Sequence, residues 1–186
     1  LVLTMTVLLG SSGVCWSADF QKGADAYERG DYATALKEFT PLAEQGNARA
    51  QSNLGAMYDN GHGVPQDYKT AMKWYTLAAE QGHVIAITNL GSMYKDGKGV
   101  PQDYKTAMKW YTLAAEQGNA RAQFVLGATY HKGQGVQQDY KTAVKWWTLA
   151  AEQGNAKSQY NLGLMYDRGQ GVPQDDKTAA KWTTLA

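Results

Sequence analysis

The chain has 186 residues, with 18 Lys and Arg against 17 Asp and Glu and a formal net charge of +1. This balance argues against bulk attraction to nucleic acid or to an anionic membrane surface. The single cysteine, Cys15, excludes a disulfide within one chain and a cysteine-based metal cluster. The length suits one ordinary domain or one short repeat array.

The chain opens with an apolar run from Leu1 to Leu9, followed by small and polar residues. This pattern is typical of a secretory signal peptide, with Ala18 as the last residue before cleavage. The run is too short for a membrane span, which needs about 20 apolar residues. We therefore predict an incomplete signal peptide at residues 1–18 and a periplasmic or secreted protein. A lipid anchor at Cys15 and an apolar helix that caps the rest of the chain are the alternatives.

One stretch of the sequence is repeated. Asp67 to Gly82 recurs letter for letter at Asp103 to Gly118, and with few changes at Asp139 to Gly154. The stretch begins a fourth time at Asp175, so the period is 36 residues. A fixed period of this length predicts stacked supersecondary units, none of which can bury its apolar face alone.

Each unit has the pattern of two helices joined by a loop. In the first full unit, Asn47 and Asp67 are placed to cap the two helices. Between the helices, the loop Gly61 to Gln66 contains two glycines and a proline, which cannot continue a helix. Gly82 fits the left-handed position that ends the second helix. Because His83 replaces the capping Asn in the next unit, we expect that helix start to be the weakest.

The residues of the first full unit that recur in the later units that the chain completes are Ala50, Leu54-Gly55, Tyr58, Gly61-x-Gly63-Val64, Asp67, Ala71, Trp74, Ala78-Ala79 and Gly82. These residues resemble the Sel-one-like repeat family, a relative of the tetratricopeptide repeats. The resemblance runs from Phe20 to Ala186 and implies a right-handed α-solenoid that serves as an adaptor or scaffold for other proteins, often outside the bacterial cytoplasm. A cysteine-rich branch of the family is associated with penicillin binding and weak β-lactamase activity. A cell-envelope hydrolase or β-lactam-binding protein is therefore the alternative function, although no repeat here has paired cysteines.

The predicted fold is all-α, a right-handed α-solenoid of stacked antiparallel helix pairs with a 36-residue period. Residues 19–46 form a shorter, degenerate first repeat, as expected at the end of a stack. The full repeats cover residues 47–186 and divide at 47–82, 83–118, 119–154 and 155–186, the last of them truncated. No polar capping helix follows Leu185 and Ala186, so we expect an apolar C-terminal end that can self-associate.

The residues that carry chemistry in other proteins show no catalytic arrangement. His62, His83 and His131 occupy different repeat positions, lack the spacing of metal ligands, and are interpreted as solvated. Neither a nucleophile motif nor a phosphate-binding loop is found. The sequence therefore predicts a protein that is not an enzyme and that uses no cofactor or metal.

Tryptophans recur with the same period, at Trp74, Trp110, Trp146 and Trp182. We predict that they are buried between helices rather than arranged as a stacking ladder for sugars or bases. Trp147 has no tryptophan counterpart in the other repeats and is the better candidate for a special contact.

Differences between the repeats fall on one arc of the first helix, between about 180° and 300° with Ala50 at 0°. First helices line the concave side in right-handed solenoids of helix pairs, where extended partners lie. Two aromatic and four basic residues on this face of the last two repeats are the predicted binding residues: Arg121, Phe124, His131, Lys157, Tyr160 and Arg168. We expect a protein or an extended peptide with apolar and some acidic residues as the partner, and no nucleic acid. Drift on a solvated face is the alternative.

Overall fold

The computed structural model describes residues 18–186, which form ten helices without a strand. In chain order the helices are α1 (Phe20–Glu28), α2 (Tyr32–Glu44), α3 (Ala48–Asn60), α4 (Tyr68–Glu80), α5 (Val84–Asp96), α6 (Tyr104–Glu116), α7 (Ala120–Lys132), α8 (Tyr140–Glu152), α9 (Ala156–Arg168) and α10 (Asp176–Leu185). The signal peptide and the lipid anchor at Cys15 concern residues that, except for Ala18, lie outside the described range. Both stay predictions.

The helices pack in consecutive antiparallel pairs, from α1 with α2 to α9 with α10. Each second helix also packs against the first helix of the next pair, and α3 touches α5 directly. First helices of neighbouring pairs therefore lie on the same side of the stack. This arrangement confirms the predicted all-α solenoid of stacked helix pairs. Within residues 18–186, each helix is either too short or too polar to cross a bilayer.

Side-chain caps begin the first helices as predicted. The Oδ1 atoms of Asn47 and Asn119 accept hydrogen bonds from the backbone N–H three residues further on, at 3.0 and 2.9 Å. His83 Nδ1 accepts the corresponding bond from Ala86 at 3.4 Å. The longer distance agrees with the expectation that α5 has the weakest start. These helices end at glycines in the left-handed conformation, such as Gly61 with φ of 71°.

Where the two helices of a pair come closest, an aromatic ring of the second helix packs directly against a glycine of the first. Tyr75 is 1% exposed, and a Cβ added to Gly55 would lie 2.7 Å from its ring. Glycine thus lets the two helices approach by removing the side chain that would separate them. The same contact recurs in the next two repeats, with Tyr111 on Gly91 and Trp147 on Gly127.

The periodic tryptophans are less buried than predicted. Trp74, Trp110, Trp146 and Trp182 are half-buried and pack against the edges of the core clusters. The buried ring belongs to the following residue on the second helix, which is Tyr75, Tyr111 or Trp147. Trp147, interpreted from the sequence as an additional contact residue, is 3% exposed and occupies this core position.

Buried glutamines join neighbouring repeats. Gln51 Nε2 donates to the carbonyl oxygen of Ala43 at 3.0 Å. Gln123 and Gln159 make the same bond at two later junctions, each at 3.1 Å. At the junction between α4 and α5 the equivalent residue is Ile87, which is fully buried. Three of the four junctions therefore contain a side-chain bond from a first helix to the last turn of the helix before it.

The prediction that the three histidines are solvated is wrong, because all three are half-buried. His62 Nδ1 lies 3.0 Å from the Tyr27 hydroxyl, and its ring stacks on Tyr32 with the centroids 4.3 Å apart. His62 therefore joins the first full repeat to the degenerate one. His83 is the cap of α5, and His131 lines a cavity described below.

Replacing Gly55 with Ala tests the ring-on-glycine contact. Alanine has a helix propensity about 1 kcal/mol more favourable than glycine, so at an open position the change would stabilise the helix. Here the new methyl group meets the Tyr75 ring, and we expect a net loss of about 1–3 kcal/mol. Urea unfolding measures the free energy. An increase in stability would contradict the packing of this ring.

A pH titration of stability tests the cap of α5. Burial, with a smaller contribution from Arg49, lowers the pKa of His83 below its ordinary value. A histidine with a lowered folded-state pKa stabilises the fold above its unfolded pKa, and this stability is lost as the pH falls from that value through the folded-state pKa. Protonated Nδ1 also cannot accept from the Ala86 N–H.

We therefore expect His83→Asn to raise stability by about 0.5–1 kcal/mol near neutral pH. It should also remove part of the loss of stability measured as the pH falls below about 6.5, the ordinary pKa of histidine. Burial and the neighbouring cations Lys132 and Arg168 likewise lower the pKa of His131, so some loss should remain. An unchanged pH profile in the His83→Asn variant would count against this account.

Ser158 places a hydroxyl where the other full repeats have alanine. The residue is fully buried, and its Oγ has no hydrogen-bond partner among the described residues. Because an unsatisfied buried polar group costs about 1–3 kcal/mol, we expect Ser158→Ala to stabilise the protein by about 1 kcal/mol. The matched control is Ala122→Ser, which introduces the same hydroxyl one repeat earlier and should lower the melting temperature. Equal melting temperatures for Ser158→Ala and the wild type would refute the expectation.

Candidate protein-binding surface

Two cavities lie next to each other along the first helices α7 and α9 of the last two repeats. The aromatic pocket, of about 300 Å³, lies between α7, α8 and α9. The Tyr160 groove, of about 510 Å³, lies between α7, α9 and the end of α10. Phe124 and Asn161 line both cavities, so the two form one continuous surface, here called the α7–α9 strip.

The aromatic pocket has walls from three ring-bearing residues. Trp147 reaches it from α8, and its indole Nε1 donates to the Phe124 carbonyl oxygen at 3.1 Å. The centroid of the His131 ring lies 5.3 Å from that of the Trp147 ring and 5.2 Å from that of the Tyr140 ring. Three apolar side chains complete the wall: Ala128, Leu164 and Met165. The interior of the pocket is therefore suited to an apolar group.

The edge of the aromatic pocket is polar and positively charged. Lys132 and Arg168, both exposed, stand at the carboxyl ends of α7 and α9, with Asn161 and Gln170 beside the opening. Burial, followed by the charges of Lys132 and Arg168, lowers the pKa of His131. At neutral pH the imidazole is therefore uncharged, and the positive charge at the edge comes from the lysine and the arginine.

The Tyr160 groove is lined by Thr183, a small residue at the core position of the last repeat, and by Ala186, the last residue of the sequence. Thr183 stands at the repeat position of Tyr75, Tyr111 and Trp147. In the preceding repeat, the Trp147 ring reaches Phe124, which is the counterpart of Tyr160. Threonine cannot fill the same volume, and the space beside Tyr160 stays open. Tyr160 itself is 54% exposed.

Five of the six predicted binding residues line the strip. Phe124, His131 and Arg168 lie around the aromatic pocket, and Phe124, Lys157 and Tyr160 lie around the Tyr160 groove. Arg121 is exposed on α7 but lines neither cavity. The structure thus brings most of the set together, and the role of these residues in binding stays a prediction.

Two features of this face limit the predicted set of binding residues. Phe124 is half-buried and packs against the core cluster around Trp147, so it stabilises the fold as well as lining the strip. The equivalent residues Ser52 and Thr88 are each 3% exposed, so the variable arc is not open to solvent in every repeat.

Three residues that shape the aromatic pocket are not among the six predicted binding residues, although Trp147 is a predicted candidate for a special contact: Ala128, Trp147 and Leu164. Ala128 and Leu164 are equivalent positions on the variable arc that carry no charge or ring. For Trp147 a signal existed in the sequence, because the residue after the periodic tryptophan changes from Tyr to Trp to Thr along the chain.

The exposed cations on the variable arc of α7 and α9 differ from those in the earlier repeats. In the earlier repeats, Asp59 of α3 pairs with Lys98, in the loop after α5, at 3.4 Å, and Lys95 of α5 pairs with Asp96 at 3.3 Å. On α7 and α9, the basic residues make no salt bridge with any described residue: Arg121, Lys132, Lys157 and Arg168. α7 contains no acidic residue and α9 contains only Asp167. The last two repeats therefore present excess positive charge beside apolar cavities.

The described residues contain no group of three or more His, Cys, Asp or Glu side chains that could hold a metal ion. The residues lining the two cavities also include no Asp, Glu, Ser or Cys side chain. The strip therefore has the character of a binding surface, with rings, aliphatic side chains and cations.

Comparisons with known proteins agree with this fold. The profile described as Sel1 repeat matches residues 48–83, 84–119, 120–155 and 156–186. A crystal structure of a Sel1 repeat protein from Oxalobacter formigenes is 36% identical, with a TM-score of 0.84, and the match covers 90% of this chain and 68% of that one. No curated protein matches the chain.

A second structure is c5321, a protective antigen present in uropathogenic Escherichia coli strains and displaying an SLR fold. It is 43% identical with a TM-score of 0.84, and the match covers 89% of this chain but only 36% of that one. Helicobacter pylori cysteine rich protein B is 21% identical with a TM-score of 0.55, covering 69% of this chain and 92% of that one, and shows the fold alone. With four matched repeats, the chain belongs to the Sel1 repeat family.

Proposed function

We propose that this protein is a non-catalytic scaffold that binds a partner protein or peptide along the concave α7–α9 strip. Sel1 repeat proteins are commonly protein-interaction scaffolds, and the stacked pairs provide the extended surface that such a role needs. Export to the periplasm or outside the cell is part of the proposal and rests on the apolar run at the start of the sequence.

The observation that carries the proposal is an exposed aromatic residue beside open cavities and unpaired cations. Tyr160 of α9 is 54% exposed and lines the Tyr160 groove, and Lys157 lines the same groove. Tyrosine and arginine are enriched among the residues that contribute most to protein interfaces. A bound partner would bury the Tyr160 ring and would also neutralise the charge of these cations.

A catalytic role has less support in the same place. Hydrolysis of an acyl bond needs a nucleophile and a base within hydrogen-bond distance of each other. The strip offers His131 as a base, without an Asp, Glu, Ser or Cys side chain lining either cavity. The absence of such a pair around the cavities favours binding over chemistry.

Site-specific crosslinking in the cell of origin tests the proposal. A photoreactive amino acid is placed at position 160 in the full chain, with position 77 as the matched control. Leu77 is 44% exposed but lies on a second helix, outside the strip. We expect one defined crosslinked partner from position 160 and none from position 77. Equal crosslinking from both positions, or none from either, would refute the proposal.

The purified complex then allows a quantitative test. Tyr160→Ala should weaken binding by about 1–2 kcal/mol, because the ring is available to a partner. The melting temperature should stay nearly unchanged, since the side chain is mostly exposed. Phe124→Ala is a poorer probe because that ring also packs on the core. Unchanged affinity, or a large fall in melting temperature, would show that Tyr160 is not a binding residue.

A further inference from the structure

We propose that the aromatic pocket receives a single apolar side chain of an acidic peptide segment. Carboxylates on both sides of this side chain contact the cations at the two ends of α7 and α9. The inference rests on the proposed scaffold function and defines the chemistry of its partner.

The size and lining of the pocket determine the central residue. A volume of about 300 Å³ is at the lower end of ligand sites, which range from about 300 to 1,000 Å³. Such a space holds one large side chain rather than a helix or a strand pair. Trp147, Phe124 and Leu164 provide ring and aliphatic surface inside it. An aromatic or aliphatic side chain is therefore the group that gains most by entering.

The charges determine the flanking residues. Lys132 and Arg168 stand at one end of the strip, and Arg121 and Lys157 stand near the amino ends of the same helices. All four are exposed and lack an ion pair with any residue of the described range. Cations with no acidic partner in the same chain favour an anionic ligand. Because they lie at both ends, one carboxylate at the terminus of a peptide would satisfy only half of them.

Helix geometry gives the spacing of these residues along the partner. At about 1.5 Å of rise per residue, Arg121 and Lys132 are about 16 Å apart along α7. An extended peptide covers this distance in about five residues, at about 3.3 Å each. Ala128, in the wall of the pocket, is about 10 Å from Arg121 and about 6 Å from Lys132 on the same scale.

The expected segment therefore has an acidic residue about three positions to one side of the apolar residue and another about two positions to the other side. In one direction this is acid-x-x-apolar-x-acid. The opposite chain direction gives the reversed order, and the geometry of the cavities allows both. Peptides with two acidic residues and one apolar residue at this spacing can be synthesised, and their binding can be measured.

The first experiment measures binding of a designed probe to the full chain at low ionic strength, where contacts between exposed charges are strongest. The probe is acetyl-Ser-Glu-Ser-Gly-Phe-Gly-Glu-Ser-amide, and its reversed sequence is measured beside it. Replacing Phe by Ser, or both Glu by Gln, should each weaken binding about tenfold or more. A probe that keeps Phe and both Glu but places the two acids next to each other on one side should also bind more weakly. If neither direction binds, or if the Phe and Glu replacements have no effect, the proposal is wrong.

The second experiment assigns the binding to the pocket. Ala128→Leu adds volume to the pocket wall and should reduce binding about tenfold or more. The matched control is Ala56→Leu, which makes the same change at the same repeat position on α3 and should bind as the wild type does. Arg168→Gln should weaken binding about two- to fivefold, since exposed ion pairs contribute modestly. Lys109→Gln, on the outer helix α6, should not weaken it.

Thermal melts of the four variants show whether each is folded, and Arg168→Gln keeps the test decisive if Ala128→Leu does not fold. Probe binding that is equally strong in the Ala128→Leu and Arg168→Gln proteins would overturn the pocket assignment. A partner crosslinked from position 160, together with no binding of the probe, would leave the scaffold function standing and refute the acidic segment alone. The absence of both would refute the two proposals together.

Discussion

The fold depends on a close contact between a large ring and a glycine, repeated in successive helix pairs. A side chain at Gly55, Gly91 or Gly127 would collide with the ring that packs there, so the position has to be glycine while the ring stays. The close approach also lets the ring extend past the core to the side of the stack that the first helices form. The Tyr111 hydroxyl lies 2.9 Å from Ser92 Oγ, and Trp147 Nε1 donates to the Phe124 carbonyl oxygen. One position in each repeat therefore shapes both the core and the surface beside it. Tyrosine reaches a polar partner there, tryptophan lines a pocket, and threonine leaves an open groove.

Much of this architecture could be predicted from local features of the sequence. Helix starts follow from Asn and Asp side chains that accept backbone N–H bonds, as Asn119 and Asp103 do. Helix ends follow from glycine in the left-handed conformation, as at Gly97. The period of 36 residues then determines that successive pairs are alike and must stack. Each of these properties depends on residues close together in the chain, and a single sequence contains that information.

The details of the candidate site depend on contacts between distant residues, which the pattern does not specify. Trp110 and Tyr111 are neighbours on the apolar stripe of α6, and only the docking angle of the helices decides that Tyr111 is the one buried. The half-buried state of His62 results from Tyr27 and Tyr32, both in the preceding repeat. The aromatic pocket likewise combines α7, α8 and α9. A helical wheel identifies the exposed arc, but it cannot indicate which part of the arc is hollow.

The glutamine bond at the junctions bears on how such a chain changes length. The donor is always the same position of a first helix, and the acceptor is always the same carbonyl near the end of the helix before it. Since the acceptor is backbone, every repeat has it whatever its side chains are. A repeat with glutamine at this position of its first helix can therefore follow any other repeat and form the hydrogen bond to its backbone carbonyl. Gene duplication or deletion in whole repeats would lengthen or shorten the face that the first helices form, without a new junction having to evolve. The junction between α4 and α5 is the exception among the described residues. There Ile87 replaces the glutamine and is fully buried, so this junction lacks the hydrogen bond that the other three share.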